Sequence, residues 1–148
     1  MAKNIPERYI PQYAKEDDWD DQELQDFVTS FYRFSDNHEE NQLWVDSFTD
    51  DANVQIGADK AQGSEEIPDF RTRMWAHIQE RKHTVLKVFP GKFTGSDASE
   101  RECMLLGEAS FLTRDGRTIE AGWSAHAVVR RVQGQWKFAQ YRAWVQNE

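Results

Sequence analysis

The sequence carries two side chains whose types and positions suit acid–base chemistry, His83 and Glu108. His83 stands at the entry to a predicted strand, and an imidazole changes its protonation near neutral pH, which suits proton transfer. Glu108 is predicted to face the interior near tryptophans, where loss of solvent raises the pKa of a carboxyl group and makes it a usable acid or base. The alternatives are a surface histidine at a strand end and a structural ion pair between Glu108 and Arg142.

A second group of side chains suits the binding of a flat, oxygen-bearing molecule. Arg142 and Gln140 would stabilise negative charge on a carbonyl, phenolate or enolate oxygen, or else form the same ion pair and a hydrogen-bonded amide. Tyr32 would donate to a substrate oxygen, or else bridges the core and the solvent as tyrosines often do. The residues predicted to form the walls of a pocket for a flat ring, and to exclude water from it, are Trp123, Trp144 and Phe138.

Helices are predicted to precede the strands that carry most of these residues. Apolar residues recur at helical spacing from Leu24 to Phe34, over 43–48 and over 67–78. Asp20 is predicted to cap the first helix, with Glu23 as its capping-box partner.

Strands fill the rest of the chain. A short strand is predicted over 52–56 and a loop over 57–63. Longer strands are predicted over 84–93, 102–113, 118–132 and 136–145. Helices followed by an antiparallel meander indicate an α+β fold. Residues 1–18 are predicted to be an irregular lead-in to one domain, 19–148.

Two tight turns set the predicted register of the strands. Asp115-Gly116 and Gln133-Gly134 are suited to positive φ and are predicted to be two-residue hairpin loops. This register divides the side chains of the last three strands between a concave face under the helices and an outer face. The outer face, with Cys103, Leu105 and Tyr141, is predicted to form a homodimer surface because it is too apolar for free solvent. The side chains that the register assigns to the concave face are Met104, Leu106, Glu108, Ser110, Leu112, Trp123, Ala125, Ala127, Val129, Phe138, Gln140, Arg142 and Trp144.

Composition and charge narrow the functional classes. The chain has 148 residues, which fits one core, and a net charge of −8 without a stripe of Lys and Arg, which argues against nucleic-acid binding. No apolar run approaches the roughly 18 residues of a membrane span, and the N-terminus has no secretory signal, so a cytoplasmic protein is expected. The histidines lack metal-ligand spacing, and there is no phosphate loop or nucleophile elbow, so no metal or cofactor is expected.

Several segments resemble the SnoaL-like branch of the nuclear-transport-factor-2-like superfamily. They are residues 26–37, 43–52, Gly63 with the following helix, 81–83 leading into a strand, and 134–138. The resemblance covers roughly residues 22–145. It implies a cone-shaped, curved antiparallel sheet wrapped on N-terminal helices, the cystatin-like α+β barrel. The resemblance does not identify the activity, since this fold hosts isomerases, dehydratases, cyclases, hydrolases and non-catalytic binders.

The resemblance also assigns roles to particular residues. His83 resembles the strand-entry histidine of scytalone dehydratase, a general acid/base there, and Tyr32 resembles the first-helix tyrosine that serves as oxyanion donor in ketosteroid isomerase. Asp36 or Asn37 stands where dehydratase-like members carry a carboxylate that orients the histidine. Ile56 stands near the place of the ketosteroid isomerase base, so that mechanism is not expected. The second strand histidine of scytalone dehydratase is missing.

The sequence therefore predicts a cofactor-independent isomerase, dehydratase or cyclase of secondary metabolism, with a cyclic, carbonyl-bearing or phenolic substrate of the polyketide or terpenoid kind. His83, oriented by Asp36, would move a proton next to a carbonyl. Tyr32 and Arg142 would stabilise the enolate oxygen, and Glu108 would return or relay the proton. Two alternatives stay open: a non-catalytic small-molecule-binding protein on the same fold, and an assembly subunit resembling the small subunit of ring-hydroxylating dioxygenases.

Overall fold

The fold is taken from a computed structural model, which describes residues 5–13, 21–91 and 99–147. Short 3-10 turns lie at Glu7–Tyr9 and His38–Glu40. The helices are α1 (Gln22–Asp36), α2 (Asn41–Val45) and α3 (Gly63–Met74). The strands are β1 (Gln12–Tyr13), β2 (Phe48–Ile56), β3 (Asp59–Gln62), β4 (Ile78–Gly91), β5 (Glu100–Thr113), β6 (Thr118–Val132) and β7 (Gln135–Asn147).

The seven strands of the described residues belong to one sheet, in the order β1-β4-β5-β6-β7-β2-β3. Strands β4 to β7 are antiparallel neighbours, whereas β1 runs parallel to β4 and β2 runs parallel to β7. The helices pack on the inner face of this curved sheet and bury a core that is rich in aromatic rings. The predicted α+β fold, with a curved sheet wrapped on N-terminal helices, is confirmed.

Helix α1 forms because its apolar residues share one face and its first turn is capped. The Asp21 carboxylate accepts a hydrogen bond from the Leu24 N–H at 3.2 Å, as an N-cap residue does. The predicted cap, Asp20, lies outside the described residues. On the buried face, Phe31 packs edge-on against Phe138 of β7, with ring centroids 4.7 Å apart. This contact fixes α1 against the sheet.

Three predicted boundaries were wrong where strands carry many charged residues. Strand β2 begins at Phe48, so Asp50 and Asp51 lie within it, and β3 occupies part of the predicted loop. Strand β4 begins at Ile78, six residues earlier than predicted. Its start was missed because its first residues place charged side chains on the open face, which hides the apolar alternation. Because β4 begins early, His83 lies inside a long strand. The predicted lead-in contributes β1 and the buried Tyr9.

The predicted register of β5 was wrong by one residue. The turn is a three-residue loop, closed by a 2.8 Å hydrogen bond from the Thr113 N–H to the Arg117 carbonyl, with Gly116 at a φ of 91°. A shift of one residue exchanges the two faces of a strand. Cys103, Leu105 and Ala109 therefore face the core. The β5 side chains that were predicted to face inward and instead lie away from it are Met104, Leu106, Glu108, Ser110 and Leu112.

The turn between β6 and β7 was predicted correctly, but a β-bulge follows it. Gln133 and Gly134 both have positive φ, and Val129 pairs with Phe138 as predicted. Beyond the bulge at Ala139 the pairing shifts by one, which reverses the faces of β7. Tyr141 and Ala143 point into the core, whereas Gln140, Arg142 and Trp144 are exposed on the outer face. The β6 residues Trp123, Ala125, Ala127 and Val129 are buried, as predicted.

The outer face of the sheet differs from the one predicted as a homodimer surface. Cys103, Leu105 and Tyr141 are buried in the core. Exposed large apolar side chains do lie on β4, β5 and β7: Leu86, Phe89, Met104, Leu106 and Trp144. A homodimer through the outer face stays a prediction. Within residues 5–13, 21–91 and 99–147, no helix has the length and apolar character to cross a membrane.

Gly107 on β5 has no room for a side chain. A Cβ atom there would lie 2.3 Å from the Trp123 ring and 2.4 Å from the Thr84 carbonyl oxygen. We expect Gly107→Ala to lower the free energy of unfolding by roughly 1–3 kcal/mol, because the indole or the β4 backbone must shift. Gly122→Ala on β6 is the matched control, since nothing lies within 4 Å of the added Cβ. Equal stability of the two variants in urea unfolding would contradict this packing.

Candidate active site

The carboxyl group of Asp36, the last residue of α1, is the centre of the candidate site. Its Oδ2 accepts hydrogen bonds from the Tyr9 hydroxyl and from the His83 backbone N–H, each at 2.7 Å. Its Oδ1 lies 2.5 Å from His83 Nδ1. Burial and the neighbouring Asp36 raise the pKa of Tyr9 to about 12, so this hydroxyl stays a donor at neutral pH. Both carboxylate oxygens are therefore held in place.

Arg71 on α3 holds the end of the helix from which Asp36 projects. The Arg71 residue is 1% exposed. The last carbonyls of a helix lack intrahelical partners and carry partial negative charge, which a cation offsets. Arg71 donates hydrogen bonds of 2.9–3.0 Å to three backbone carbonyl oxygens: those of Phe34 and Ser35 in α1 and that of Asn37, the residue after the helix. Arg71 therefore fixes where Asp36 meets β4.

His83 lies on the inner face of β4, and its side chain is 14% exposed. A carboxylate only accepts hydrogen bonds, so in the neutral imidazole Nδ1 carries the proton and Nε2 is the bare base. This tautomer follows from the network around Asp36. His83 lines a cavity, and none of the described residues forms a hydrogen bond with Nε2. The ring thus presents a base to whatever enters the cavity.

The cavity beside His83 has a volume of about 40 Å³. That is enough to admit water but far below the 300–1,000 Å³ typical of small-molecule pockets. Aromatic rings form much of its wall, among them Phe31, Trp44, Phe111 and Trp123. Among the apolar aliphatic and sulfur-containing lining residues, Ile56 and Met74 are partly exposed and Val145 is exposed.

Tyr32 and Tyr141 form a buried hydroxyl pair next to this cavity, with the two oxygens 2.8 Å apart. Burial raises the pKa of both phenols well above the ordinary value, so both are protonated at neutral pH. One hydroxyl donates to the other, which leaves one proton for a further acceptor. Tyr141 lines the cavity. It was missed in the sequence because the β7 bulge reverses its face.

Arg81 also lines the cavity and was not among the predicted site residues. It lies two positions before His83 on the same strand, so both side chains share one face. Its guanidinium lies 5.4 Å from the Trp75 ring centroid and 5.3 Å from that of Phe111, and it donates to the Met74 carbonyl. Burial lowers its pKa to about 10. The spacing from His83 would have revealed it, had β4 been predicted to begin at Ile78.

The structure brings together only some of the predicted site residues. His83 and Trp123 line the cavity, and Trp123 Nε1 donates to the Glu108 carbonyl at 2.9 Å. Asp36 and Tyr32 do not line it but contact His83, Asp36 at Nδ1 and Tyr32 with ring centroids 5.5 Å apart. Phe138 is buried in the core under α1 rather than in the cavity wall.

The remaining predicted site residues lie on the outer face, so their predicted inward orientation was wrong. Gln140, Arg142 and Trp144 line an open groove there, and the Arg142 guanidinium lies 4.7 Å from the Trp144 ring centroid. Glu108 is exposed at a different groove. The ion pair between Glu108 and Arg142, which was the alternative interpretation of both residues, is not formed either. The three-residue loop and the β7 bulge are the physical reasons.

The described part of the chain contains no cluster of three or more His, Cys, Asp or Glu side chains that could hold a metal ion. The chemistry that the site residues themselves offer is proton transfer by His83, donation from the tyrosine hydroxyls and charge stabilisation by Arg81.

No protein-family model matches the sequence, and the curated proteins give no match. Solved structures are similar at low identity. A candidate aromatic ring hydroxylase from Novosphingobium aromaticivorans is 20% identical, with a TM-score of 0.73 over 85% of this chain and 91% of that chain. A candidate scytalone dehydratase from the same species is 14% identical, with a TM-score of 0.73 over 84% and 82%. A type 2 hexachlorocyclohexane dehydrochlorinase is 17% identical, with a TM-score of 0.72 over 85% and 86%.

These likenesses show the class of fold. The chain has the cystatin-like α+β fold that the sequence predicted, and a similar structure from Nostoc punctiforme is described as having a cystatin-like fold. Its place in the SnoaL-like branch stays a prediction, because no family model matches.

Arg71→Met should lower the free energy of unfolding by about 2–4 kcal/mol, because it leaves buried helix carbonyls without donors. Arg73→Met on the same helix is the control. Arg73 is exposed and pairs with Asp59 at 2.9 Å, so its loss should cost less than about 1 kcal/mol. Urea unfolding measures both variants. Similar losses for the two would show that Arg71 does not cap α1.

Proposed function

We propose that the chain is a cofactor-independent enzyme of the lyase or isomerase type, in which His83 moves a proton of a small molecule bound in the aromatic cavity. The observation that carries this proposal is the His83–Asp36 pair. Asp36 Oδ1 lies 2.5 Å from His83 Nδ1, and Asp36 Oδ2 accepts a hydrogen bond from the backbone N–H of His83. A base fixed in one tautomer and facing a cavity is what general-base catalysis requires.

The proposed reaction begins when His83 Nε2 accepts the proton of a C–H bond beside a carbonyl. In an elimination, the C–H electrons form a C=C bond while a leaving group on the neighbouring carbon departs with its own electron pair. In an isomerisation, the electrons form an enolate, and the imidazolium returns the proton to a different carbon. In both cases the Asp36 carboxylate stabilises the imidazolium that forms.

The tyrosine pair supports the binding of the carbonyl. Tyr141 lines the cavity, and its hydroxyl is bonded to that of Tyr32. A protonated phenol beside the base donates more strongly as negative charge develops on the substrate oxygen. In this proposal Tyr141 takes the oxyanion-binding place that the sequence assigned to Arg142, and Tyr32 supports it. Glu108 takes no part.

The aromatic walls favour a flat substrate, and we propose a cyclic carbonyl or phenolic compound of the polyketide or terpenoid kind. A ring does not fit within 40 Å³, so its entry requires movement of side chains such as Met74 and Val145. Two similar structures bear names that denote loss of water and loss of hydrogen chloride, a dehydratase and a dehydrochlorinase. These names support elimination as the type of reaction.

The test is to incubate the protein in D2O with a panel of cyclic ketones and β-hydroxyketones and to follow each compound by proton NMR. The wild type should accelerate exchange, isomerisation or loss of water for at least one compound. For that compound, His83→Ala and Asp36→Asn should lower the rate by about 10²–10⁴-fold, the usual contribution of a general base.

His126→Ala is the matched control. His126 Nε2 lies 2.5 Å from Glu102 Oε2, a pair of the same kind, but His126 lines the outer groove. This variant should keep the wild-type rate. If His83→Ala also keeps that rate, His83 is not the base. If compounds bind saturably and none reacts, the non-catalytic binding protein is the better account.

A further inference from the structure

Arg81 is a half-buried cation that forms no ion pair with a described carboxylate. Its only hydrogen bond to the described residues goes to the Met74 carbonyl, and its Nε is buried without a partner. Rings on either side, Trp75 and Phe111, replace water around the guanidinium. Buried guanidinium N–H groups normally find acceptors, because an unmade hydrogen bond to a charged donor is costly. Among the described residues, the Nε–H of Arg81 therefore lacks an acceptor.

Trp44 gives independent evidence for the same deficit. It also lines the cavity, it is fully buried, and its indole Nε1 has no partner among the described residues. An indole N–H only donates, as does a guanidinium. The unpaired buried polar atoms of these cavity-lining residues are therefore all donors. A ligand that satisfies them must bring acceptor oxygens.

The charges around the cavity favour an anion. Burial lowers the pKa of Arg71 and of Arg81 to about 10. The nearby charge of Arg81 lowers the pKa of Arg71 further, whereas Asp36 raises the pKa of both. Asp36 is the carboxylate that faces them, and its oxygens are already occupied by Tyr9 and His83. A local excess of positive charge thus lies inside a chain whose net charge is −8.

We infer that Arg81 binds an oxyanion of the substrate beside His83. This inference rests on the proposed function for the identity of the cavity as the reaction site, and it narrows the substrate class. The oxyanion has two sources: a carboxylate that the substrate already carries, or an enolate or phenolate oxygen. In either case the negative oxygen accepts from Arg81 while His83 acts on a neighbouring C–H bond.

The test compares matched anionic and neutral ligands by calorimetry. Benzoate and benzamide have nearly the same shape and differ in charge, and 4-nitrophenol reports its phenolate form by its colour. Benzoate should bind the wild type at least tenfold more tightly than benzamide. Arg81→Met should weaken benzoate by about 10- to 100-fold and leave benzamide unchanged, the range expected for one hydrogen bond to a charged group.

Arg117→Met is the control for net charge, because Arg117 lies in the exposed β5–β6 hairpin and pairs with Asp115. It should bind benzoate as the wild type does. Arg81→Lys keeps the cation without the planar Nε–H and should give an intermediate loss. If Arg81→Met fails to fold, the wild-type preference for the anion and the Arg81→Lys value decide the question.

The outcomes separate the two sources and the two hypotheses. An Arg81-dependent preference for benzoate supports a carboxylate-bearing substrate. No preference for benzoate, with Arg81-dependent binding of 4-nitrophenolate, supports an oxyanion of the enolate or phenolate type. No preference for either anion, or a preference that Arg81→Met leaves intact, overturns the inference. These binding measurements need no turnover, so a failure of the proposed proton transfer is seen separately in the D2O experiment.

Discussion

Three donors converge on the Asp36 carboxylate: the Tyr9 hydroxyl, the backbone N–H of His83 and the His83 imidazole. These contacts join the N-terminal segment, helix α1 and strand β4 at one point. Arg71 fixes the same point from α3 by binding the last carbonyls of α1. A carboxylate held from several elements cannot rotate away from the imidazole. The orientation of the base is thus a consequence of how the helices dock on the sheet.

The environment of this pair decides what chemistry it offers. Trp123 packs against Tyr32 at 5.0 Å between ring centroids, and Gly107 leaves the space that its indole occupies. Aromatic packing excludes water, which strengthens the interactions of His83 and of the guanidinium of Arg81 with any charge inside. The cavity combines a base, hydroxyl donors and a cation that forms no ion pair with a carboxylate of the described residues. That combination suits the formation of negative charge on a substrate oxygen.

Much of this architecture was predictable from the sequence, and the failures have local causes. The helix of Leu24 and Phe31 and the turn at Gln133 follow from periodicity and turn chemistry, whereas His83 and Asp36 were identified by family resemblance. The sequence Asp115-Gly116 fits either a two-residue or a three-residue loop, since both need positive φ at the glycine. Only tertiary packing decides between them, and that choice determines whether Glu108 faces in or out.

The bulge at Ala139 is a second feature without a sequence marker. It places Tyr141 in the core and Arg142 outside, the reverse of the regular alternation. Arg81 escaped notice because charged residues mask the start of β4.

The most direct test of the central claim is nitrogen-edited NMR of the imidazole rings, with His83→Gln used to assign the His83 signals among the four histidines. The account predicts that neutral His83 carries its proton on Nδ1 and leaves Nε2 bare. A proton on Nε2, with Nδ1 bare, would contradict the account, because Asp36 would then not hold the ring as a base facing the cavity.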